Sequence, residues 1–258
     1  MDFVSRLKKI QIQGATNITV ESLKHLSGFS RKYGFGKKFD TECKKLLEAR
    51  PTAVDLFNAI EKVKKSRSQE GINKVIKELE ASKTAAAGNA SRIFKRSVVL
   101  THCHSSFVVA ALVKNKSKIK EVIVTETRPR DQGLITAKEL LKNKVKVSYI
   151  IDSAISDFIG NADMVVVGAD ALRNEGLINK VGTHPLAVVA KENRKPFYVI
   201  TSSFTVDKRP KIVMEQRPAS ELHANLKGAR IFNPAFDLTP WKYITAVITE
   251  KGVKKMIR

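Results

Sequence analysis

Two rhythms divide the chain. Through about the first ninety residues, apolar positions recur every three or four places. LFNAIEKVKK sets Leu56, Ile60 and Val63 on one face, and GINKVIKELEASKTAAAGNASRIFK continues with Ile72, Val75, Ile76 and Leu79. That spacing predicts amphipathic helices, and the good helix formers between these positions agree with it. Pro51 disfavours a helical backbone at Arg50 and so marks a boundary between two helices. Cys43, in DTECKKLLEA, falls in the same pattern and is expected to be an ordinary helix residue.

After about Lys95 the rhythm shortens. SVVLT, EVIVTE, KVSYIID, ADMVVVGAD, PFYVITS, ARIF and ITAVITE are compact runs rich in Val and Ile. SSFVVAALVK, LITAKELLKN, DSAISDFIG and THPLAVVAKEN stand between most of them and read as helices. Continuous apolar strands alternating with helices predict a parallel sheet covered on both faces. The expected class is α/β: a helical N-terminal domain over residues 1–94, then a Rossmann-like, doubly wound parallel-sheet domain over 95–258. The join near Ser91–Lys95 reads as a continuing helix.

Composition adds a bias of charge. Lysine and arginine number 47 and aspartate and glutamate 25, a net charge of +22. Such a chain favours anionic partners. No RGG, RNP-type or zinc-finger pattern accompanies the charge, so a phosphorylated small molecule is preferred over nucleic acid. No uncharged apolar stretch of about 18 residues occurs, and MDFVSRLKKIQIQG lacks the apolar centre of a signal peptide. A cytoplasmic protein without a membrane partner is expected. Two cysteines, Cys43 and Cys103, make neither a disulfide framework nor a zinc site.

Open parallel sheets bind ligands at the carboxyl ends of their strands, so the polar residues following each run matter most. After SVVLT comes HCHSS. Cys103 falls at the turn, with Ser105 and Ser106 where a helix begins. Amides there can hold an anion, and a helix N-terminus lowers a thiol pKa. Cys103 is thus either a base or nucleophile, or a small buried apolar side chain. His102 and His104 flank it and are expected to face elsewhere on the turn, able at most to tune the thiol. After EVIVTE comes TRPRDQG, with Arg128 a candidate anion ligand and Gln132 and Gly133 candidates for close approach. After ADMVVVG, Asp170 closes an apolar run. Burial there would raise its pKa and suit it to act as a general acid; the alternative is a turn cap. Then Asn179, Lys180, Gly182 and Thr183 precede an apolar helix, a set that suits a phosphate.

These stretches carry a resemblance. THCHSS, TETRPRDQG, VVVGAD, INKVGT and NPAFDLTP, with IQGA and RPTAVDLFNAI upstream, resemble one superfamily over about Ile10 to Val253. It holds ribose-1,5-bisphosphate isomerase, methylthioribose-1-phosphate isomerase and the regulatory subunits of translation initiation factor 2B. The resemblance implies an aldose–ketose isomerase of a sugar 1-phosphate, with Cys103 as proton acceptor and Asp170 as proton donor. It implies substrate contacts at Gly14, Ala15, Arg50, Ser105, Gln132, Asn179 and Lys180, a site between two domains, no cofactor or metal, and a homodimer or higher homo-oligomer. The translation-factor subunits generally lack the cysteine–aspartate pair, so its presence favours an enzyme. THCHSS and VSYIIDSA are more similar to the archaeal ribose-1,5-bisphosphate isomerases, which makes ribose 1,5-bisphosphate to ribulose 1,5-bisphosphate the expected reaction. The alternatives are a regulatory initiation-factor subunit and a methylthioribose-1-phosphate isomerase.

Three positions depart from the bisphosphate pattern. Gln13-Gly14-Ala15 stands where the isomerases read Arg-Gly-Ala. The stretch between Gly176 and Asn179 is one residue shorter than usual. Thr205, in SSFTVDK, stands where the bisphosphate enzyme carries a lysine, and SSFTVD is closer to the methylthioribose enzymes. Lys208 and Arg209 are the candidate replacements.

Overall fold

The computed structural model describes residues 2–8, 14–211, 214–222, 226 and 228–256. Helices come first: α1 (Phe3–Lys8), α2 (Ala15–Tyr33), α3 (Lys37–Ala49), α4 (Val54–Ser66) and α5 (Gln69–Asn89). Leu56, Ile60, Val63, Ile72 and Leu79 are buried as their spacing demands, in one cluster with Leu23, Leu26, Phe39, Cys43 and Leu46. Ile76 lies at the margin of that cluster. Ser68 caps α5, its side chain accepting from the Gly71 amide at 3.0 Å, which satisfies one of the orphan amides of a helix start. The helical stretch ends in a short 3₁₀ turn, Ala90–Arg92, and the first strand begins at Ser97.

From there the chain alternates: β1 (Ser97–Thr101), α6 (Ser106–Lys114), β2 (Ile119–Thr125), α7 (Gln132–Lys142), β3 (Val147–Ile150), α8 (Ile155–Phe158), β4 (Met164–Val167), β5 (Ala171–Leu172), β6 (Gly176–Lys180), α9 (Thr183–Glu192), β7 (Phe197–Ile200), β8 (Phe236–Pro240), β9 (Ala246–Thr249) and β10 (Gly252–Lys255). Seven strands form one sheet in the order β10-β9-β7-β4-β1-β2-β3. All its pairings are parallel except β10 with β9. Side chains alternate across it. Val99, Val122, Val124 and Val166 face α5, α6 and α7, while Leu100, Ile123, Val165 and Val167 face α8 and α9. Successive residues of a strand point to opposite faces, so apolar residues at every position require helices on both sides. The small residues Ala86, Ala87 and Ala90 let α5 lie close on α6 and carry the helical part onto the sheet.

Side-chain hydrogen bonds to distant carbonyls add to that join. Asn58 donates to the carbonyls of Phe204 (2.6 Å) and Val206 (2.9 Å), and Asn89 donates to that of Thr249 (2.9 Å).

Two expectations are corrected. ARIF, residues 229–232, is not a strand: Phe232 is 69% exposed, and Asn233-Pro234 interrupts the run before β8 begins at Phe236. The join at Ser91–Lys95 is not a continuing helix: the 3₁₀ turn ends at Arg92 and residues 93–96 are non-helical. Gly176–Lys180, ahead of α9, forms β6, the middle strand of a separate antiparallel sheet ordered β5-β6-β8. Among the described residues no helix is long and apolar enough to cross a membrane.

Candidate functional site

The sheet order reverses between β1 and β4. The chain steps outward from β1 through β2 to β3, then returns to the other side of β1 for β4. The connections from β1 and β4 therefore diverge, leaving a crevice at their carboxyl ends. Cys103 follows β1 by two residues and Asp170 follows β4 by three. Both face one cleft, and all nine residues expected to form the site line it: Gly14, Ala15, Arg50, Cys103, Ser105, Gln132, Asp170, Asn179 and Lys180. Gln13, the departure from Arg-Gly-Ala, lies outside the described residues.

Each side chain is set by local structure. Cys103 adopts a left-handed backbone, φ +68°, an uncommon conformation for a residue with a Cβ. It is held there from both sides. Its amide donates to Thr127 Oγ1 at 2.8 Å, and its carbonyl accepts from Thr136 Oγ1 at 3.0 Å. The thiol lies 3.6 Å from Gln132 Oε1, to which it donates. Ser105 caps α6, its hydroxyl accepting from the Val108 amide at 3.4 Å. Gly168 lets β4 run this close to α6, because a Cβ there would lie 2.6 Å from the Ser105 side chain. Gly14 and Ala15 open α2, with Gly14 at φ +83°, and Arg50 ends α3 before Pro51.

Electrostatics separate the two central groups. Burial pushes Asp170 up to about 6, against the pull of Lys180 and Arg50 toward the charged form. Burial likewise pushes the Cys103 thiol up to about 11, again partly offset by Lys180. The aspartate behaves as its apolar strand predicts. The cysteine does not: a helix N-terminus was expected to lower its pKa, and removal from water outweighs that local field.

The histidines divide. His102 is 2% exposed and turned into the protein, with Nδ1 2.7 Å from Thr125 Oγ1 and Nε2 2.9 Å from the Val181 carbonyl. Nε2 must donate to the carbonyl, so Nδ1 accepts from the hydroxyl. His104 does not face elsewhere: it lines the cleft, with Nδ1 3.1 Å from Thr136 Oγ1. Burial lowers the pKa of both imidazoles.

Several candidates stand outside the cleft lining. Arg128 is half exposed and pairs with Asp131 at 3.4 Å; Arg130, two residues on, reaches the cleft instead. Gly133 serves packing, since a Cβ there would lie 1.7 Å from the Thr125 carbonyl oxygen. The N-terminus of α9 is already filled. Asp237 Oδ2 accepts from the amides of Gly182 (2.8 Å) and His184 (3.0 Å), so Gly182 meets a carboxylate of the chain itself. Thr183 is fully buried and bridges Asn179 Nδ2 (3.0 Å) to the Lys180 carbonyl (2.6 Å). Lys208 is exposed, and Arg209 is held by Asp207 at 2.8 Å and by the Pro51 carbonyl at 3.2 Å; both line a separate groove. Of that stretch, Thr205 lines the cleft.

Five charged residues in the cleft were not anticipated: Asp55, Arg130, Glu215, Arg217 and Glu221. Asp55 is 2% exposed, accepts from the Leu56 amide at 2.9 Å, and is pushed up to about 6 by burial, with the Asp170 charge adding to the effect. A carboxylate inside the apolar run AVDLF was its visible signal. The other four carry no periodic signature.

The profile of the initiation factor 2 subunit family matches residues 11–256. The ribose 1,5-bisphosphate isomerase of Methanocaldococcus jannaschii is 36% identical, covering 96% of this chain and 89% of its own. The methylthioribose-1-phosphate isomerase of Acetivibrio thermocellus is 32% identical over 98% of this chain and 87% of its own. Among solved structures, the translation initiation factor eIF-2B of Pyrococcus horikoshii superposes with a TM-score of 0.87 at 24% identity, covering 97% of this chain and 94% of its own. With the match spanning nearly its whole length, the chain belongs to the initiation factor 2 subunit family.

Proposed function

We propose that the protein is a sugar-phosphate isomerase that converts ribose 1,5-bisphosphate to ribulose 1,5-bisphosphate, with Cys103 and Asp170 as its proton-transfer pair. One observation supports this above the rest. A thiol and a carboxyl from adjacent strands meet in a cleft that also holds Arg50 and Lys180. The similarity to isomerases of both sugar classes agrees with it.

A sugar phosphorylated on its anomeric oxygen cannot open by losing that hydroxyl proton. The ring oxygen must be protonated as its bond to C1 breaks. Asp170 in its neutral form supplies that proton. Cys103, as thiolate, removes the proton on C2, leaving a C1–C2 enol. The C2 hydroxyl then returns a proton to Asp170 as the carbonyl forms, and the thiol delivers its proton to C1. Both groups end as they began, and no proton is gained or lost.

At neutral pH the resting forms are the reverse: a thiol near 11 is protonated and a carboxyl near 6 is mostly ionised. Moving one proton from Sγ to the carboxylate prepares both roles at once. The gap makes this uphill by on the order of 7 kcal/mol. A turnover of about 10 per second allows a total barrier of about 16 kcal/mol, so the transfer fits within it. Lys180 favours the ionised form of both groups, so it eases loss of the thiol proton and opposes its gain by the carboxylate.

A second reading, methylthioribose 1-phosphate as substrate, is favoured by Thr205, a neutral residue lining the cleft where the bisphosphate enzymes carry a lysine. Turnover of the two sugars in parallel, followed by phosphorus NMR, separates them. Ribulose 1,5-bisphosphate as the faster product is expected. Turnover of the methylthio sugar alone would replace the first reading with the second.

A further inference from the structure

We propose that Arg130 and Arg217 seat the phosphate at the substrate's far end, in the position now held by the Glu221 carboxylate. This rests on the sugar-phosphate reading and names the group that selects a bisphosphate within it.

Each phosphate carries about −1.5 to −2 charges at neutral pH, so a bisphosphate needs cations at both ends. Lys180 and Arg50 are the cations whose charge reaches Asp170, and they serve the phosphate on C1. The residues expected for the other end do not serve it. Thr205 donates its hydroxyl to the Ser202 carbonyl at 2.8 Å, and Lys208 and Arg209 lie in another groove.

Arg130 and Arg217 line the cleft itself. They come from two separate segments, the turn after β2 and the stretch before β8, and converge on one oxygen. Glu221 Oε1 accepts from Arg130 Nη1 at 2.9 Å and from Arg217 Nη2 at 2.7 Å. A single carboxylate oxygen bridging two guanidinium groups marks a position built for an anion. A phosphate offers more oxygens and more charge than a carboxylate and matches the arginine fork.

The neighbouring ladder leaves buried polar atoms unpaired. Arg217 Nη1 meets Glu215 Oε1 at 2.9 Å, while Glu215 Oε2 stands 3.9 Å from Arg50 Nε without a hydrogen bond. Arg50 Nε and Nη1 are buried with no hydrogen-bond partner among the described residues. Among the described residues Arg130 pairs with Glu221, Arg217 with Glu215 and Glu221, and Arg50 stands near Glu215 with its charge reaching Asp170. Glu221 lies on a short turn, Ala219–Leu222, whose first two residues are exposed.

The test is calorimetric titration of ribose 1,5-bisphosphate and ribose 1-phosphate into protein carrying Cys103→Ser, so that no turnover intervenes. The quantity read is the ratio of the two dissociation constants. Arg130→Gln and Arg217→Gln are each expected to reduce the preference for the bisphosphate at least fivefold. Glu221→Gln is expected to increase it, which separates a phosphate seat from a purely structural ladder, where all three changes would act in the same direction. Ribose 1-phosphate binding reports that the cleft remains folded. A change under fivefold in both arginine variants, or a reduced preference in Glu221→Gln, overturns this inference alone. Binding of neither sugar by the parent overturns the isomerase reading and this inference with it.

Discussion

Cys103 and Asp170 follow neighbouring parallel strands, β1 and β4, on the two sides of the sheet's reversal point, and burial raises the pKa of both. The same exclusion of water acts in opposite senses on their proposed roles. It keeps more of the carboxyl in the protonated form that can act as an acid, and less of the thiol in the ionised form that can act as a base. The consequences are measurable without substrate.

The thiol comes first. With its pKa near 11, the rate of Cys103 alkylation by iodoacetamide should rise about tenfold per pH unit from 7 to 10, because only the thiolate reacts. Mass spectrometry separates it from Cys43, which is buried and pushed up to about 12. A plateau below pH 8 would mean that the helix N-terminus dominates after all.

The two buried carboxyls bear on stability. Asp55 and Asp170 rise from about 4 in the unfolded chain to about 6 in the folded protein. A group raised on folding contributes its stability fully below the unfolded value and loses it as pH rises through the folded value. Ionising either group at pH 8 therefore costs about 2–3 kcal/mol. Asp55→Asn and Asp170→Asn should each raise the urea midpoint at pH 8 and leave it nearly unchanged at pH 4. A loss of stability at pH 8 would contradict the burial-driven shift.

His102 ties the end of β1 to the turn after β6 through Val181. His102→Leu strands the Val181 carbonyl and leaves the Thr125 hydroxyl with Thr127 Oγ1 as its neighbour, at a cost of about 1–3 kcal/mol for a buried polar group left unpaired. Because Val181 follows Lys180, the same change should weaken sugar-phosphate binding. His102→Gln, which retains a donor and an acceptor, should recover part of both losses. Urea denaturation and calorimetric titration read the two effects. An unchanged midpoint in His102→Leu would remove its structural role.

Much of this organisation is legible in the sequence. SVVLT and MVVV are apolar at nearly every position because both faces of their sheet are covered, and that pattern survives without knowledge of the partners. Cys103, Ser105, Gln132, Asp170, Asn179 and Lys180 stand out locally because each lies at or just past a strand end or opens a helix, whereas the full set of nine, with Gly14, Ala15 and Arg50 from the helical part, is given by the family resemblance. The small antiparallel sheet was not legible. Gly176 pairs with Pro240, and nothing near GLINK announces a partner more than fifty residues later. Local pattern also favoured Arg128 over Arg130, since two arginines two positions apart are distinguished only by which one Asp131 engages. The Cys103 pKa was misjudged because a helix-terminus field is visible in sequence, whereas the depth of the surrounding protein is not. Arg217 and Glu221 gain meaning only through contact with Arg130, about ninety residues away.

The most direct test of the proposed chemistry uses ribose 1,5-bisphosphate deuterated at C2, with the unaltered protein and Cys103→Ser side by side, followed by NMR. The unaltered protein should form ribulose 1,5-bisphosphate more slowly from the deuterated sugar than from the ordinary one, with deuterium lost to solvent or carried to C1, while Cys103→Ser loses at least about a hundredfold in rate, the order expected for removing a general base. Ribulose 1,5-bisphosphate formed at an undiminished rate by folded Cys103→Ser would contradict the role given to the thiol, and none formed by the unaltered protein would contradict the isomerase itself.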